Sequence, residues 1–213
     1  MTNKTTITTI PLFPLGATLF PGGVLFLKIF EVRYLEMIKT CVRDALPFGV
    51  VSLEQGSEIN LPEQKVSLAK IGTLAKIVHY ESIQPNLLMI RCVGGERFTT
   101  QHCEKQKNGI WMADIEMMAQ DKSIVIPEDL RNSALILTQV INSIENQGIG
   151  EDQAPITKPF LLNDCGWVAN RWSELLPLTP GQKGHLLGIE NPRIRLDLIC
   201  DFLEELRIAK NSD

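Results

Sequence analysis

The stretch from Ile10 to Ile38, IPLFPLGATLFPGGVLFLKIFEVRYLEMI, constrains the fold more than any other part of the chain. It holds two apolar runs, Ile10–Leu15 and Val24–Phe30, on either side of a Pro21-Gly22-Gly23 turn. Pro11 and Pro14 have no amide to donate, so the first run suits a sheet edge or an extended arm rather than a central strand. Val24–Ile29, apolar apart from Lys28 and of strand length, is read as a strand buried on both faces. From Glu31 the apolar positions become Tyr34, Leu35, Ile38, Cys41, Val42 and Ala45, one stripe of a helix. A buried strand that runs directly into an amphipathic helix predicts the centre of a small core.

The remainder divides into two textures. Short strand-like runs continue to about residue 120: Phe48–Leu53, Val66–Ser82, Leu87–Cys92, Glu96–Thr100 and Trp111–Met117. Polar or Gly/Pro/Asn-rich pieces separate them, including a surface loop over Glu54–Lys65. Gly72 is expected at a bulge or tight bend, and Gly94-Gly95 in a turn. Beyond residue 120 the spacing turns helical. Leu130, Ala134, Leu137, Ile141 and Ile144 form one stripe, behind Pro127, Glu128 and Asp129 at the helix start. Asn163 or Asp164 can cap a second helix. Thr179-Pro180-Gly181-Gln182 spells a capping box with proline at the first helical position. The last helix carries Ile194, Leu198, Ile199, Phe202, Leu203 and Leu206 as its stripe. The fold class expected is α+β: a barrel-like sheet with one inserted helix over residues 1–120, then a helical bundle over 121–213.

Three blocks carry a resemblance. PLFPL, then FPGG and a hydrophobic strand, then IFEVRYLEMI opens the chain. IGTLAKI with GGERF follows in the middle, and VANRWSELLPLTPGQKGHLLGIENPRIRLDLICDFLEEL closes it. In order and spacing they resemble the amino-terminal substrate-binding domain of Lon-type ATP-dependent proteases, above all the stand-alone bacterial proteins made of that domain. The resemblance implies a PUA-like β-barrel followed by a helical subdomain. It also implies recognition of unfolded or degron-bearing polypeptides, with a AAA+ protease as a further partner. The protein would then be a receptor, an adaptor or a chaperone-like module. PUA-like barrels also occur in RNA-binding proteins, which is the alternative reading.

Charge weighs against nucleic acid. Residues 1–120 carry 12 Lys+Arg against 11 Asp+Glu, and residues 121–213 carry 9 against 14, so neither part is a basic surface that grips phosphates. No run approaches the ~20 apolar residues that span a bilayer. The polar start, MTNKTTITTI, has no apolar signal segment, which predicts a soluble cytoplasmic protein. The five cysteines, in no C-x-x-C pair, read as buried free thiols in a reducing compartment.

Catalytic patterns are sparse. No G-x-x-x-x-G-K-[ST] loop cradles a phosphate. Ser67-Leu68-Ala69-Lys70 matches S-x-x-K, but in a strand, residues three apart point to opposite faces. His79, His102 and His185 stand in no metal-binding spacing. The expectation is a non-enzyme with no cofactor and no metal. Exposed apolar groups are then the candidate substrate-binding residues: Phe13, Phe20 and Phe26 near the Pro/Gly turn, with Trp111, Met112 and Met117 at the last strand. The charged residues Glu31, Arg33, Glu96 and Arg97 lie against the most apolar parts of the sheet. They are expected to form an internal ion-pair cluster that fixes the helix on the barrel.

Overall fold

The computed structural model describes residues 7–56 and 66–210, so most of the loop expected over Glu54–Lys65 lies outside the described residues. Six strands and five helices follow in chain order. They are β1 (Thr8–Leu15), β2 (Val24–Ile29), α1 (Val32–Asp44), β3 (Phe48–Gln55), β4 (Ser67–Gln84), β5 (Leu87–Lys105) and β6 (Trp111–Met117). After these come α2 (Arg131–Glu145), α3 (Cys165–Leu175), α4 (Pro180–Gly188) and α5 (Pro192–Lys210).

The strands form one sheet in the order β2-β5-β4-β3-β1-β6, and β6 also pairs with β5. The ladder therefore runs from β5 through β4, β3, β1 and β6 back to β5, and β2 hangs outside this ring on the first half of β5. Two apolar clusters serve the strands. One holds Phe13, Ile29, Tyr34, Ile38, Phe48 and Ile90, with α1 packed into it. The other holds Ile10, Leu12, Val51, Phe98 and Ile115.

The structure corrects several expectations. β1 is not an edge: it lies between β3 and β6. Its prolines are tolerated because the pairing is divided. Pro11 falls in the segment Thr8–Leu12 registered with β6, whereas Pro14 falls in the segment Leu12–Leu15 registered with β3. Each proline thus has a ladder partner on one side only, which leaves the other side free for a residue without a donor. β2 is the strand that sits at the edge. It is not buried on both faces: Phe26 and Lys28 are exposed. Gly94-Gly95 is no turn, because β5 runs unbroken through it. A Cβ at Gly94 would stand 2.2 Å from the Phe20 carbonyl oxygen, so the glycine permits a close backbone crossing. The bulge expected at Gly72 is present: Val51 pairs with Gly72 but Leu53 with Leu68, a register shift in the β3–β4 ladder, and a Cβ at Gly72 would stand 2.5 Å from the Phe98 ring.

The helices after residue 120 share a third cluster that includes Leu137, Val168, Trp172, Leu186, Leu196 and Ile199. Phe20, from the β1–β2 connection, is part of this cluster. The Asp164 carboxylate accepts from the Trp167 amide at 2.8 Å and caps α3. Thr179 and Gln182 close the capping box of α4, with Pro180 in its first turn. On α5 the buried positions are Arg195, Leu196 and Ile199, while Ile194 is half exposed, so the helix is rotated from its expected stripe. On α1, Val42 and Ala45 lie at the exposed end of the stripe.

The crossing at Gly94 makes a direct prediction. Gly94→Ala forces backbone apart and should destabilise the protein by about 2–3 kcal/mol or more in urea unfolding. Gly150→Ala, with nothing within 4 Å of the added carbon, should leave stability nearly unchanged.

Candidate functional site

The sheet and the helices meet at two charged joints. In the first, Arg97 of β5 and Arg195 of α5 share the carboxylate of Asp121. Arg97 Nη2 lies 2.8 Å from Asp121 Oδ1 and Arg195 Nη1 lies 2.6 Å from Oδ2. Both guanidiniums also donate to backbone. Arg97 reaches the carbonyls of Leu187 at 2.8 Å and Ile189 at 2.9 Å. Arg195 reaches those of Leu186 at 3.1 Å and Ile189, and donates to Asn170 Oδ1 at 2.8 Å. Leu186 and Leu187 are in the last turn of α4, where carbonyls lack intrahelical partners and cations are favoured. Two positive charges are therefore matched by one carboxylate and one helix end. Burial lowers the Arg97 pKa, and the Asp121 charge works against that shift.

The second joint seats the Pro21-Gly22-Gly23 turn. Arg171 of α3, 1% exposed, donates to the Gly22 carbonyl at 2.5 Å and to the Pro21 carbonyl at 2.9 Å. Its Nε stands 3.1 Å from Glu174 Oε2. Glu174 Oε1 accepts from the Phe20 amide at 3.4 Å. A Cβ at Gly23 would fall 1.8 Å from that same oxygen, so the carboxylate occupies the space a side chain would take. Burial pushes the Glu174 pKa from 4.5 up to about 7, although the Arg171 charge and the Phe20 amide pull it down.

The four charged residues expected to cluster separate into different contacts. Arg33 pairs with Glu31 at 2.8 Å and donates to the Gly109 carbonyl at 2.9 Å, which ties the start of α1 to the β5–β6 turn. Glu96 is exposed and accepts from Gln120. Arg97 alone reaches the helical side, through Asp121. No ion pair joins Arg97 to Glu31 among the described residues.

The six apolar candidates also divide. Phe13 is buried, stacked on Tyr34 with ring centroids 4.2 Å apart. Phe20 is fully buried in the helical cluster. These two are core residues and offer nothing to a ligand. Trp111 is half buried against the cluster of Leu12 and Phe98. Phe26 is 44% exposed, with the Arg91 guanidinium 5.9 Å from its ring centre. Met112 and Met117, the latter 38% exposed, come together with residues the sequence did not single out. They line an open groove of about 660 Å³ between α1, the first half of β1, and β6. Its other apolar walls come from Ile10, Pro11, Met37, Leu46, Pro47 and Ile110. Its charged lining is Arg33 and Glu36. Arg33 is bound to Glu31, and Glu36 accepts from Lys39 at 2.9 Å. The groove therefore presents an apolar surface whose charges are already neutralised from within the chain. No group of three or more His, Cys, Asp or Glu residues among those described could hold a metal.

The fold and the groove can now be set beside known proteins. The family model of the ATP-dependent protease La (LON) substrate-binding domain matches residues 9–205. The chain belongs to the Lon substrate-binding domain family. Among solved structures, it is similar to a Lon N-terminal domain protein from Xanthomonas campestris. The two share 27% identity with a TM-score of 0.71, over 92% of this chain and 98% of that one. It also shares its fold with the N-terminal domain of a Mycobacterium avium complex Lon protease. That match has 14% identity and a TM-score of 0.60, over 91% of this chain and 97% of that one. No curated protein sequence matches the chain. Among the described residues no helix is long and apolar enough to cross a membrane.

In this Lon-family chain the three sequence blocks acquire a physical meaning. FPGG is the turn seated on Arg171 and Glu174, and GGERF supplies both the Gly94 crossing and Arg97. The closing block supplies Arg171, Glu174 and Arg195. Arg171 and Arg195 were legible only as charges inside helical stripes, at positions where a solvated residue would break the pattern.

Two outcomes follow from the joints. Arg97→Ala leaves Asp121 facing one cation and takes the Arg97 donor from the Leu187 carbonyl, so it should cost about 3–5 kcal/mol by chemical denaturation. Arg97→Lys should not restore it, because one ammonium cannot replace a fork of donors. Glu174 carries a pH dependence. Its raised pKa means the folded chain holds a proton that the unfolded chain releases between pH 4.5 and about 7. Stability from this group is therefore complete below pH 4.5 and declines as pH rises through 7, by up to about 3 kcal/mol. Melting curves across that range should show the decline in the wild type and a flatter profile in Glu174→Gln.

Proposed function

We propose that this protein is a non-catalytic polypeptide-binding module that takes apolar segments of unfolded or degron-bearing polypeptides in the groove between α1, β1 and β6. The observation that carries the reading is the groove itself: an open apolar channel of about 660 Å³ whose only charged lining residues, among those described, are paired internally. Such a surface is costly to leave in water and gains by burying an uncharged apolar segment. Met37, Met112 and Met117 give it side chains that adapt to different partners. Family membership supports the same reading, since the matched model is a substrate-binding domain. We read the closed ring of strands as the PUA-like barrel of the resemblance, and the helices after it as the bundle. In the cell the module acts as receptor, adaptor or chaperone-like protein, and hands its client to a AAA+ protease.

The test is a panel of labelled unfolded-protein peptides titrated by fluorescence anisotropy. Saturable binding is expected for peptides with apolar runs. Met112→Asp together with Met117→Asp should weaken it by about tenfold or more, because a charge facing the ligand must be desolvated. Met117→Asp alone should weaken it too and leave the melting temperature nearly unchanged, since Met117 is exposed whereas Met112 packs against the core under α1. An absence of saturable binding at high micromolar protein would overturn the reading.

A further inference from the structure

β2 is the terminal strand of the sheet and pairs with β5 alone among the described strands. The pairing is in register over six residues, from Val24 opposite Val93 to Ile29 opposite Leu88, without a bulge. Just before it, the Gly94 amide donates to the Gly23 carbonyl at 2.8 Å. Antiparallel ladders alternate bonded and non-bonded pairs. Counting on from that bond, Leu25, Leu27 and Ile29 turn their backbone groups toward β5. Val24, Phe26 and Lys28 turn theirs away from it, along the open edge.

The edge is consistent in its side chains as well. Leu25 and Leu27 pack against the apolar cluster under α1, and Ile29 is buried in it. On the opposite face stand Phe26 and Lys28, both exposed, with Arg91 across from Phe26 and Met89 across from Lys28. A strand laid along this edge would place one set of alternate side chains beside Leu25 and Leu27, and the other set beside Phe26 and Lys28. The first set must be apolar. The second meets an aromatic ring and the Lys28 ammonium. A second copy of β2, VLFLKI, brings another lysine and no acid, so it leaves Lys28 unmatched.

We propose that the open edge of β2 takes a client polypeptide by strand addition. The segment recognised is extended, about six residues long, with alternate apolar side chains and an acidic residue among the others, opposite Lys28. This rests on the polypeptide-binding reading above and adds a backbone-directed contact to the apolar groove.

Backbone N-methylation separates the two. Three labelled peptides share one sequence, in which Val or Leu alternates with residues that include one Phe and one Glu. One is unmodified, one is N-methylated at its odd amides and one at its even amides. Strand addition predicts that one methylation pattern weakens binding about a hundredfold, through the loss of two or three hydrogen bonds. The other pattern should leave it within about threefold, because those amides face away from β2. Lys28→Glu, at an exposed position, should reverse the preference between the Glu peptide and its Lys counterpart. Equal affinity for all three peptides would overturn strand addition and leave the groove reading standing. No binding by any peptide, the unfolded-protein panel included, would overturn both. A peptide-free dimer in which the Phe26 and Lys28 amides resist hydrogen exchange would overturn the proposal in favour of a second copy.

Discussion

Asp121 is the charge on which the arrangement of sheet and helices depends. Two guanidiniums, Arg97 from β5 and Arg195 from α5, are withdrawn from water. A buried cation with no partner costs several kcal/mol, so any packing of these elements must bring both onto acceptors at once. The Asp121 carboxylate and the carbonyl end of α4 supply those acceptors. The geometry is specific because a guanidinium is a rigid planar fork. Apolar contact alone would let α5 turn about its axis. The fork of Arg195 fixes that rotation and leaves Ile194 facing outward.

The second joint works by shape as much as by charge. The turn at Pro21-Gly22-Gly23 lies close enough to α3 that Glu174 fills the space beside Gly23. Arg171 takes the two carbonyls that the turn exposes. The preceding Phe20 is buried among the helices, while the following strand β2 belongs to the sheet. Three residues, Pro21-Gly22-Gly23, thus carry the chain from the helical core to the sheet. The flank of α1 beside β1 and β6 is left open, and that opening is the apolar groove.

Both contact surfaces assigned to a client follow from the way the ring of strands closes. Because β6 pairs with β1 on one side and with the second half of β5 on the other, the ring leaves the first half of β5 to β2, and β2 has no second neighbour among the described strands. The groove offers apolar area without direction, whereas the strand edge offers direction through regularly spaced donors and acceptors. A polypeptide has both apolar side chains and a backbone to match them.

Local signals in the sequence were enough to determine most of the elements and their order, although they split β5 in two at Gly94-Gly95. Alternation marked the strands, 3.6-residue spacing marked the helices, and Thr179, Pro180 and Gln182 spelled the start of α4 without ambiguity, because these depend on residues a few positions apart. The apolar character of Met112 and Met117 was legible too. What faces a residue from 90 positions away was not. Phe13 and Phe20 look like Phe26 in sequence, and tertiary packing alone decided that two are core and one is exposed. Tertiary pairing likewise placed β2 at the edge and β1 inside, against the signal of two prolines, because each segment of β1 is paired on a single side. The partners of Arg97, Arg171 and Arg195 were decided in the same way. A charge declares that it needs a counterpart, but only the folded chain determines which counterpart lies within reach.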